Sequence, residues 1–453
     1  MRHSFNVGVF GDAMIDEYYS VKVKGVSPEF PIPSMHSHDA VPISYPGGAA
    51  NVIRQFCYFP CINPWLVSFI DENARRCFSD HSINLDLCRL IDSGVPIKRR
   101  FYSEGFPTYR WDVEKENYGL GSDVQNHSME LYKKFFSNLS NFDAVIFSDY
   151  DKGVFSSNLS YPPKSIMTVV DSKSKDIDKW YGCTVFKPNL KEASEVSGKS
   201  SPIDAGIWIK SRIKCDHVVI TNADKDVTVV SKDGVEVIEP CRTIDAVSVI
   251  GAGDCFTAIL TLSLLEGMNI KDAATRAWKA GSLYVQNKYN SPITPLDLLG
   301  GKYVADPSLL RNRNFKLVFT NGCFDLIHKG HVQNLKFAKS KGDKLVVALN
   351  DDASIARLKP NRPIQCLNDR IEILSALEDV DFLVSFSEDN PFNLIHAIEP
   401  DVLVKGNEYL FNEIVGYGIV KEAFVFPMVD GCSTTNLIRK MIESEQAEHF
   451  SSK

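Results

Sequence analysis

Two stretches of the 453-residue chain carry residue types that handle phosphate. One is Phe319-Thr320-Asn321-Gly322-Cys323-Phe324-Asp325-Leu326-Ile327-His328-Lys329-Gly330-His331. Its apolar start reads as a strand ending in a tight Asn321-Gly322 turn, and His-x-Gly-His then opens a helix through Val332, Leu335 and Ala338. Two imidazoles at that spacing can face one phosphate, and Gly330 lets it approach the backbone. Free N–H groups and the positive end of the helix dipole add to the attraction. Such a site stabilises charge developing on phosphorus as pyrophosphate leaves, by position and electrostatics rather than a covalent intermediate. His-x-Gly-His alone also describes a pair of surface or capping histidines; its place after Thr-Asn-Gly-x-Phe-Asp favours phosphate. No third ligand stands at a recognisable spacing, which disfavours zinc.

The other is Ile250-Gly251-Ala252-Gly253-Asp254, followed by apolar Phe256, Ile259 and Leu260. A glycine-rich loop opening a helix lines up the N–H groups of Gly251, Ala252 and Gly253 as an anion hole. Asp254 then stands where it can take a proton from an attacking hydroxyl. In isolation the same letters fit a turn with an N-cap. Three further features raise the chemistry above that reading. Pro46-Gly47-Gly48-Ala49-Ala50-Asn51 is a second glycine-rich loop. Asp12 and Asp16 follow the first strand, placed for sugar hydroxyls. Asn189-Leu190-Lys191-Glu192 follows a strand in a spacing suited to orienting magnesium and phosphate, with Glu192 an indirect metal ligand.

The elements that must position these residues alternate short apolar runs with helical segments. Candidate strands are Val7–Phe10, Ala144–Phe147, Met167–Val170, Thr184–Phe186, Val218–Ile220, Leu317–Phe319, Leu345–Leu349, Phe382–Val384 and Val402–Val404. Several hand over to Asp, Asn or Gly, as parallel strands do at functional loops. Asp226–Ile238 alternates around Asp233-Gly234 and reads as a hairpin with a primed turn. The fold class is α/β with mostly parallel sheets. A boundary falls between Pro295 and Asn314, where Gly300-Gly301 and a polar Leu310–Asn314 segment separate two strand-rich blocks, 1–299 and 314–445.

Composition excludes several classes. Lys and Arg total 50 against 57 Asp and Glu, a net charge of −7, which lacks the footprint of a general nucleic-acid binder. No apolar run approaches the ~20 residues of a membrane span. The greasiest, Phe256–Leu265, is broken by Thr257, Thr261 and Ser263. A strand-like Asn6–Phe10 follows so soon after Met1 that a signal peptide is not expected. Eleven cysteines without a C-x-x-C pair read as reduced thiols, and the location expected is cytoplasmic.

The C-terminal block resembles the nucleotidyltransferase superfamily and, more narrowly, the second half of the bifunctional heptose 7-phosphate kinase / heptose 1-phosphate adenylyltransferases. Matching stretches include Val347–Asp352, Arg370 before Leu374–Glu378, Val384–Pro391, Pro400–Gly406 and Gly431–Thr435. The resemblance implies a Rossmann-like HxGH domain in which Thr320, Asn321, Gly322, Phe324, Asp325 and Gly330 line a nucleotide site. By the same resemblance His328 and His331 hold the phosphates, Lys405 adds cationic charge, Arg370 lies beside the nucleotide, and Ser433-Thr434-Thr435 start a helix near the triphosphate. Class I aminoacyl-tRNA synthetases share His-x-Gly-His. Their Lys-Ser-Lys loop lies downstream, however, whereas Ser172-Lys173-Ser174-Lys175 lies upstream in the other block.

The N-terminal block resembles the ribokinase-like sugar kinases, and Ser27-Pro28-Glu29-Phe30-Pro31-Ile32-Pro33 narrows the match to the heptose kinase branch. Ser148-Asp149-Tyr150, Lys152-Gly153, Asp171 and Lys173 follow that branch. The resemblance implies ATP-dependent phosphorylation of heptose 7-phosphate at C1, with Asp254 as base and Mg2+ bridging the nucleotide phosphates. Asp12, Asp16, Gly47, Gly48 and Asn51 would hold the sugar, with Arg110 near its phosphate. Asn189, Glu192, Thr221 and the Gly251–Gly253 loop would hold ATP. Ser248 stands six residues before Asp254 where the family has Asp, which argues against a monovalent-cation site, and Asp226 stands where the nucleotide loop usually has glycine. The two activities imply ADP-heptose for surface polysaccharide, a separate phosphatase between the steps, and kinase-domain homodimers. The alternative is that only the transferase is active, with ATP or CTP, and that the N-terminal block is a sugar-binding or dimerisation module.

Overall fold

In the computed structural model the chain divides into two units, Met1–Leu298 and Leu299–Lys453. The structure describes residues 4–37, 41–81, 83–103, 106–114, 122–155, 165–239, 248–286, 291–298, 301–311, 313, 315–360, 362–406 and 415–427, with side chains of 122–126 excepted.

The first unit is built on an eight-stranded sheet. Its order is Val235–Ile238, Val227–Val230, His217–Thr221, Val185–Phe186, Met167–Ser172, Ala144–Asp149, Phe5–Gly11 and Ile62–Val67. The six strands from His217–Thr221 onward are parallel and the first two are antiparallel. Ala144–Asp149 is buried along its whole length, which explains the apolar run Ala144–Phe147 within it. Two core clusters cover the sheet: one centred on Ile53, Phe56, Ile259 and Leu262, the other on Phe10, Phe135, Phe147 and Phe186. The helix Ala252–Leu265 buries every residue from Asp254 to Ser263. Its hydroxyls survive burial by donating to carbonyls one turn back: Thr257 to Gly253, Thr261 to Thr257 and Ser263 to Ile259, at 2.7–2.9 Å. That greasy stretch is a core helix. No helix among the described residues is long and apolar enough to cross a membrane.

The Asp226–Ile238 hairpin forms, but its turn is not primed. Positive φ falls on Gly234 alone (+132°), so Asp233 keeps an ordinary backbone and the glycine absorbs the reversal. A second sheet was not foreseen. Ala13–Val26 pairs with Pro33–Ser37, Ile43–Gly48 and Ile97–Ser103, and the last pairs with Phe106–Val113.

The second unit is a five-stranded parallel sheet ordered Phe382–Phe386, Lys344–Asn350, Leu317–Gly322, Val402–Gly406 and Glu422–Phe426. Leu335, Leu345, Leu349, Leu374 and Val402 lie in its core. Residues 302–304 add to the Phe382–Phe386 edge: Leu383 N–H donates to Lys302 O at 2.7 Å and Val304 N–H to Leu383 O at 2.8 Å.

Candidate active sites

In the first unit the polar groups gather at the carboxyl ends of the parallel strands, the usual ligand edge of such a sheet. Gly251 caps the helix Ala252–Leu265 in the left-handed region, φ +78°. A Cβ there would lie 2.6 Å from Asn51 Nδ2 and 2.7 Å from Tyr284 Oη, so both conformation and space demand glycine. This turn puts Asp254 in the first helical turn, whose N–H groups have no intrahelical acceptor. Asp254 is buried, and both its oxygens are held: Asn51 Nδ2 donates to Oδ2 at 2.7 Å and the Tyr150 hydroxyl to Oδ1 at 2.5 Å. Burial pushes the carboxyl upward, while the Tyr150 and Asn51 hydrogen bonds pull it down.

Lysines surround this carboxylate. Lys187, fully buried just after Val185–Phe186, pairs with Asp171 at 3.0 Å. Its burial opposes the charge, and Asp171, Glu192 and Asp254 more than restore it. The single proton of the Thr257 hydroxyl is shared between Gly253 O and Asp171 Oδ2, each 2.9 Å away. Lys173 and Lys98 lie 3.9 and 5.1 Å from the centre of the Tyr150 ring. Sequence reasoning gave no role to Lys98 or Lys187. A lysine directly after an apolar parallel strand, as Lys187 is, was the available signal for the second.

The other residues expected at the sugar make the following contacts within the protein. Asp12 is fully buried, and its oxygens accept the N–H groups of Tyr150 (2.8 Å), Lys152 and Val154 (both 3.2 Å). Burial, helped by Asp149, raises its carboxyl to about 7. It holds the 150–154 loop that carries Tyr150. Asp16 pairs with Arg100 at 2.8 Å and packs against Gly47, where a Cβ would come within 3.0 Å of its carboxylate. Gly48, φ +58°, starts the helix Ala49–Phe56 that presents Asn51. Asn51 therefore meets the base. Arg110 is exposed and locked bidentately to Asp112 at 2.7 and 2.5 Å.

Asn189-x-x-Glu192 is a capping box. Asn189 Oδ1 accepts the Glu192 N–H and Glu192 Oε2 accepts the Asn189 N–H, both at 2.9 Å. The spacing that suggested magnesium is thus also what begins the helix Leu190–Ser197. Thr221 ends its strand in a bridge to Asn189, and Asp226 accepts from Asn222 Nδ2 at 2.9 Å. Ser248 donates its N–H to Val285 O and accepts from Ile250 N–H.

In the second unit the strand continues through Asn321-Gly322, and the positive φ (+46°) lies on Phe324 rather than on the glycine. The tight turn is therefore two residues later than the Asn-Gly pair suggested. His328 caps the helix Lys329–Lys339, with Gly330 in its first turn. The His328 and His331 rings stack 3.9 Å apart, and Phe324 lies 5.1 Å from His331. Burial lowers both imidazoles; for His331, with His328 and Lys359 adding to it, the value falls to about 4. The Nδ1 atoms of both, with Asn321 Oδ1 and Gln365 Oε1, are buried without a hydrogen-bond partner. Thr320 is buried beside them in sequence. A polar group from a ligand would satisfy such atoms.

Asp325 and Arg370 tie the neighbouring segments together. Asp325 accepts from Arg362 Nη1 (2.5 Å) and from the N–H groups of Ile364 and Gln365 (2.8 and 2.9 Å). Arg370, placed beside the nucleotide by resemblance, is completely buried. It donates to Cys323 O, Asn350 O, Gln365 O and Asp352 at 2.7–3.2 Å, which ties three of its nitrogens to protein. Lys405 lies on Val402–Gly406 opposite Val425. Ser433, Thr434 and Thr435 lie outside the described residues.

Residues 160–295 match the pfkB family carbohydrate kinases, and residues 319–451 match the cytidylyltransferase-like family. The phosphofructokinase-2 of Escherichia coli, solved with potassium, superposes with TM-score 0.51 at 15% identity, over 65% of this chain and 97% of that one. A point mutant of the same enzyme gives 0.52. These establish the kinase fold of the first unit. The bifunctional protein HldE of Helicobacter hepaticus is 32% identical over 479 aligned positions, 97% of each chain. The chain belongs to the HldE family. The HldE proteins of Escherichia coli O9:H4 (32% identity, 97% of each chain) and Aliarcobacter butzleri (31%, 98% of this chain and 99% of that one) agree. As an HldE, the chain is a bifunctional heptose kinase and adenylyltransferase, with a ribokinase-like unit preceding the nucleotidyltransferase unit.

Proposed function

We propose that the first unit phosphorylates heptose 7-phosphate at C1 with ATP, and that the second transfers AMP from ATP to heptose 1-phosphate with release of pyrophosphate. The observation that carries the kinase half is Asp254: a buried carboxylate at a glycine-opened helix start, held at both oxygens. It accepts the C1 hydroxyl proton as the oxygen attacks the γ-phosphorus, and the first-turn N–H groups and Lys187 meet the charge on the transferring group. Asp171 and Glu192 at this edge suit a magnesium ion held mainly by waters and nucleotide phosphates. Magnesium, when bound, supplies charge neutralisation between two polyanions. In the second unit His328, His331 and Asn321 contact the triphosphate, Lys405 adds positive charge, and Asp325 and Arg370 shape the pocket. These ATP-consuming steps belong to a cytoplasmic enzyme, with a separate phosphatase removing the 7-phosphate between them.

The decisive test is two assays on one chain: ADP from ATP plus heptose 7-phosphate, and pyrophosphate from ATP or CTP plus heptose 1-phosphate. Asp254→Asn should abolish only the first and His331→Ala only the second. Sugar binding without ATP turnover by the wild type would instead make the first unit a binding module.

The second sheet supports a homodimer. Phe106, Tyr109 and Trp111 expose 74%, 55% and 50% of their surfaces on Phe106–Val113, with Val23 and Val26 exposed on Ala13–Val26. A matching copy of this face would cover them.

A further inference from the structure

We propose that Tyr150 is a positioning residue of the kinase half, whose hydroxyl keeps Asp254 oriented and ionised for proton abstraction. The inference rests on the reading of Asp254 as the base. Tyr150 stands on the loop after Ala144–Asp149, and its Oη lies 2.5 Å from Asp254 Oδ1 across 104 residues of sequence. Desolvation, reinforced by Asp254 and Asp171, holds the phenol well above its ordinary range, so it is the donor in that bond. The ring cannot drift readily. Lys173 lies 3.9 Å and Lys98 5.1 Å from its centre, both within cation–π reach, and the Tyr150 N–H is anchored on Asp12 Oδ2 at 2.8 Å. The buried, triply bonded Asp12 thereby acts on the base through the loop.

Each element packed around Asp254 contributes to its charge balance. Asn51 donates from the helix Ala49–Phe56. Lys98 comes from Ile97–Ser103, and Asp171 and Lys173 come from and follow Met167–Ser172. Lys187 follows Val185–Phe186, and Tyr284 comes from Ile270–Tyr284. Asp16 acts on Tyr150 and Lys98, and Cys255, the neighbour on Asp254's own helix, is buried and protonated. Among these, Tyr150 and Asn51 alone hydrogen-bond the carboxylate directly. A hydrogen bond to the ionised form favours that form, so removing the phenol leaves burial less opposed.

The test is the pH profile of kcat/KM for ADP formation by Tyr150→Phe in the full-length enzyme, with pyrophosphate release by the same chain as the folding control. The acid limb should move to higher pH by about one unit, about a tenfold loss below the limb that is recovered at alkaline pH. A ring-fluorinated tyrosine at position 150, a stronger donor, should move the limb the other way, and this second variant decides the matter if Tyr150→Phe loses both activities. An unchanged limb in either variant overturns the proposal, as does a loss of rate equal at every pH. Asp254→Asn separates the two readings. Retained kinase activity there removes the base assignment itself, whereas a dead Asp254→Asn beside an unmoved Tyr150→Phe profile removes only the role of Tyr150.

Discussion

His328 and His331 stack with their ring centroids 3.9 Å apart and their planes 23° from parallel. Two stacked imidazolium ions would repel, and burial already disfavours the charged form of each. Both rings are therefore neutral at pH 7, and an approaching triphosphate has to draw protons onto them to gain ionic contacts.

Proton uptake on nucleotide binding follows. Because the bound phosphates raise imidazole values that the protein lowers, affinity for ATP in the second unit should rise as pH falls from about 8 to 6, by at most about tenfold per pH unit for each proton taken up. Calorimetric titration in two buffers of different ionisation enthalpy measures this uptake, and His331→Ala should reduce it. Using Asp254→Asn as the background stops ATP turnover in the first unit during the titration, and the difference made by His331→Ala assigns the uptake to the second. For folding the sign is the reverse. His331 titrates near 4 in the folded chain against 6.5 ordinarily, so its contribution is complete above 6.5 and lost as pH falls toward 4.

Gly251→Ala should disable the kinase and spare the transferase. Its φ of +78° strains an alanine, and the new methyl would push on Asn51 and Tyr284. A loss of more than about tenfold in ADP formation is expected, with pyrophosphate release unchanged.

Arg370→Met should act through stability. It strips donors from three backbone carbonyls, at a cost of about 2–4 kcal/mol. Thermal unfolding of the second unit should fall accordingly, while KM for the nucleotide, measured well below the transition, should stay near that of the wild type. A large rise in KM with unchanged melting would mean that the guanidinium touches the ligand.

Replacing Phe106 and Trp111 together by serine should give monomers by sedimentation if the second sheet is the dimer face. Phe106 sits exposed near the strand end, and Trp111 stacks on Arg99 at 4.9 Å, so neither belongs to a buried core.

The parallel strands were legible because their burial on both faces forces unbroken apolar runs, as in Ala144–Phe147 and Leu345–Leu349. The second sheet was not, since Phe106–Val113 is exposed along nearly its whole length and its aromatic residues face away from the unit's core. At the kinase site the glycine loop announced the helix start. Asn51 and Tyr150 were named as well, but not as partners of Asp254, because Asn51 reaches it across 203 residues and Tyr150 across 104, and no local pattern carries such pairings. The backbone bonds of Asp12 and Arg370 were not legible either, because their acceptors and donors lie on segments remote in sequence.

The pairing of residues 302–304 with Leu383 has a practical consequence for dissecting the enzyme. Phe382–Phe386 is the last strand on its side of the sheet, and this short segment shields backbone groups that would otherwise recruit a stranger. A transferase fragment begun at 314 forfeits that cover and should self-associate, whereas one begun at 301 keeps it and should stay dispersed. The stretch that looks like a tether in the primary structure is, for the second half, a selvedge.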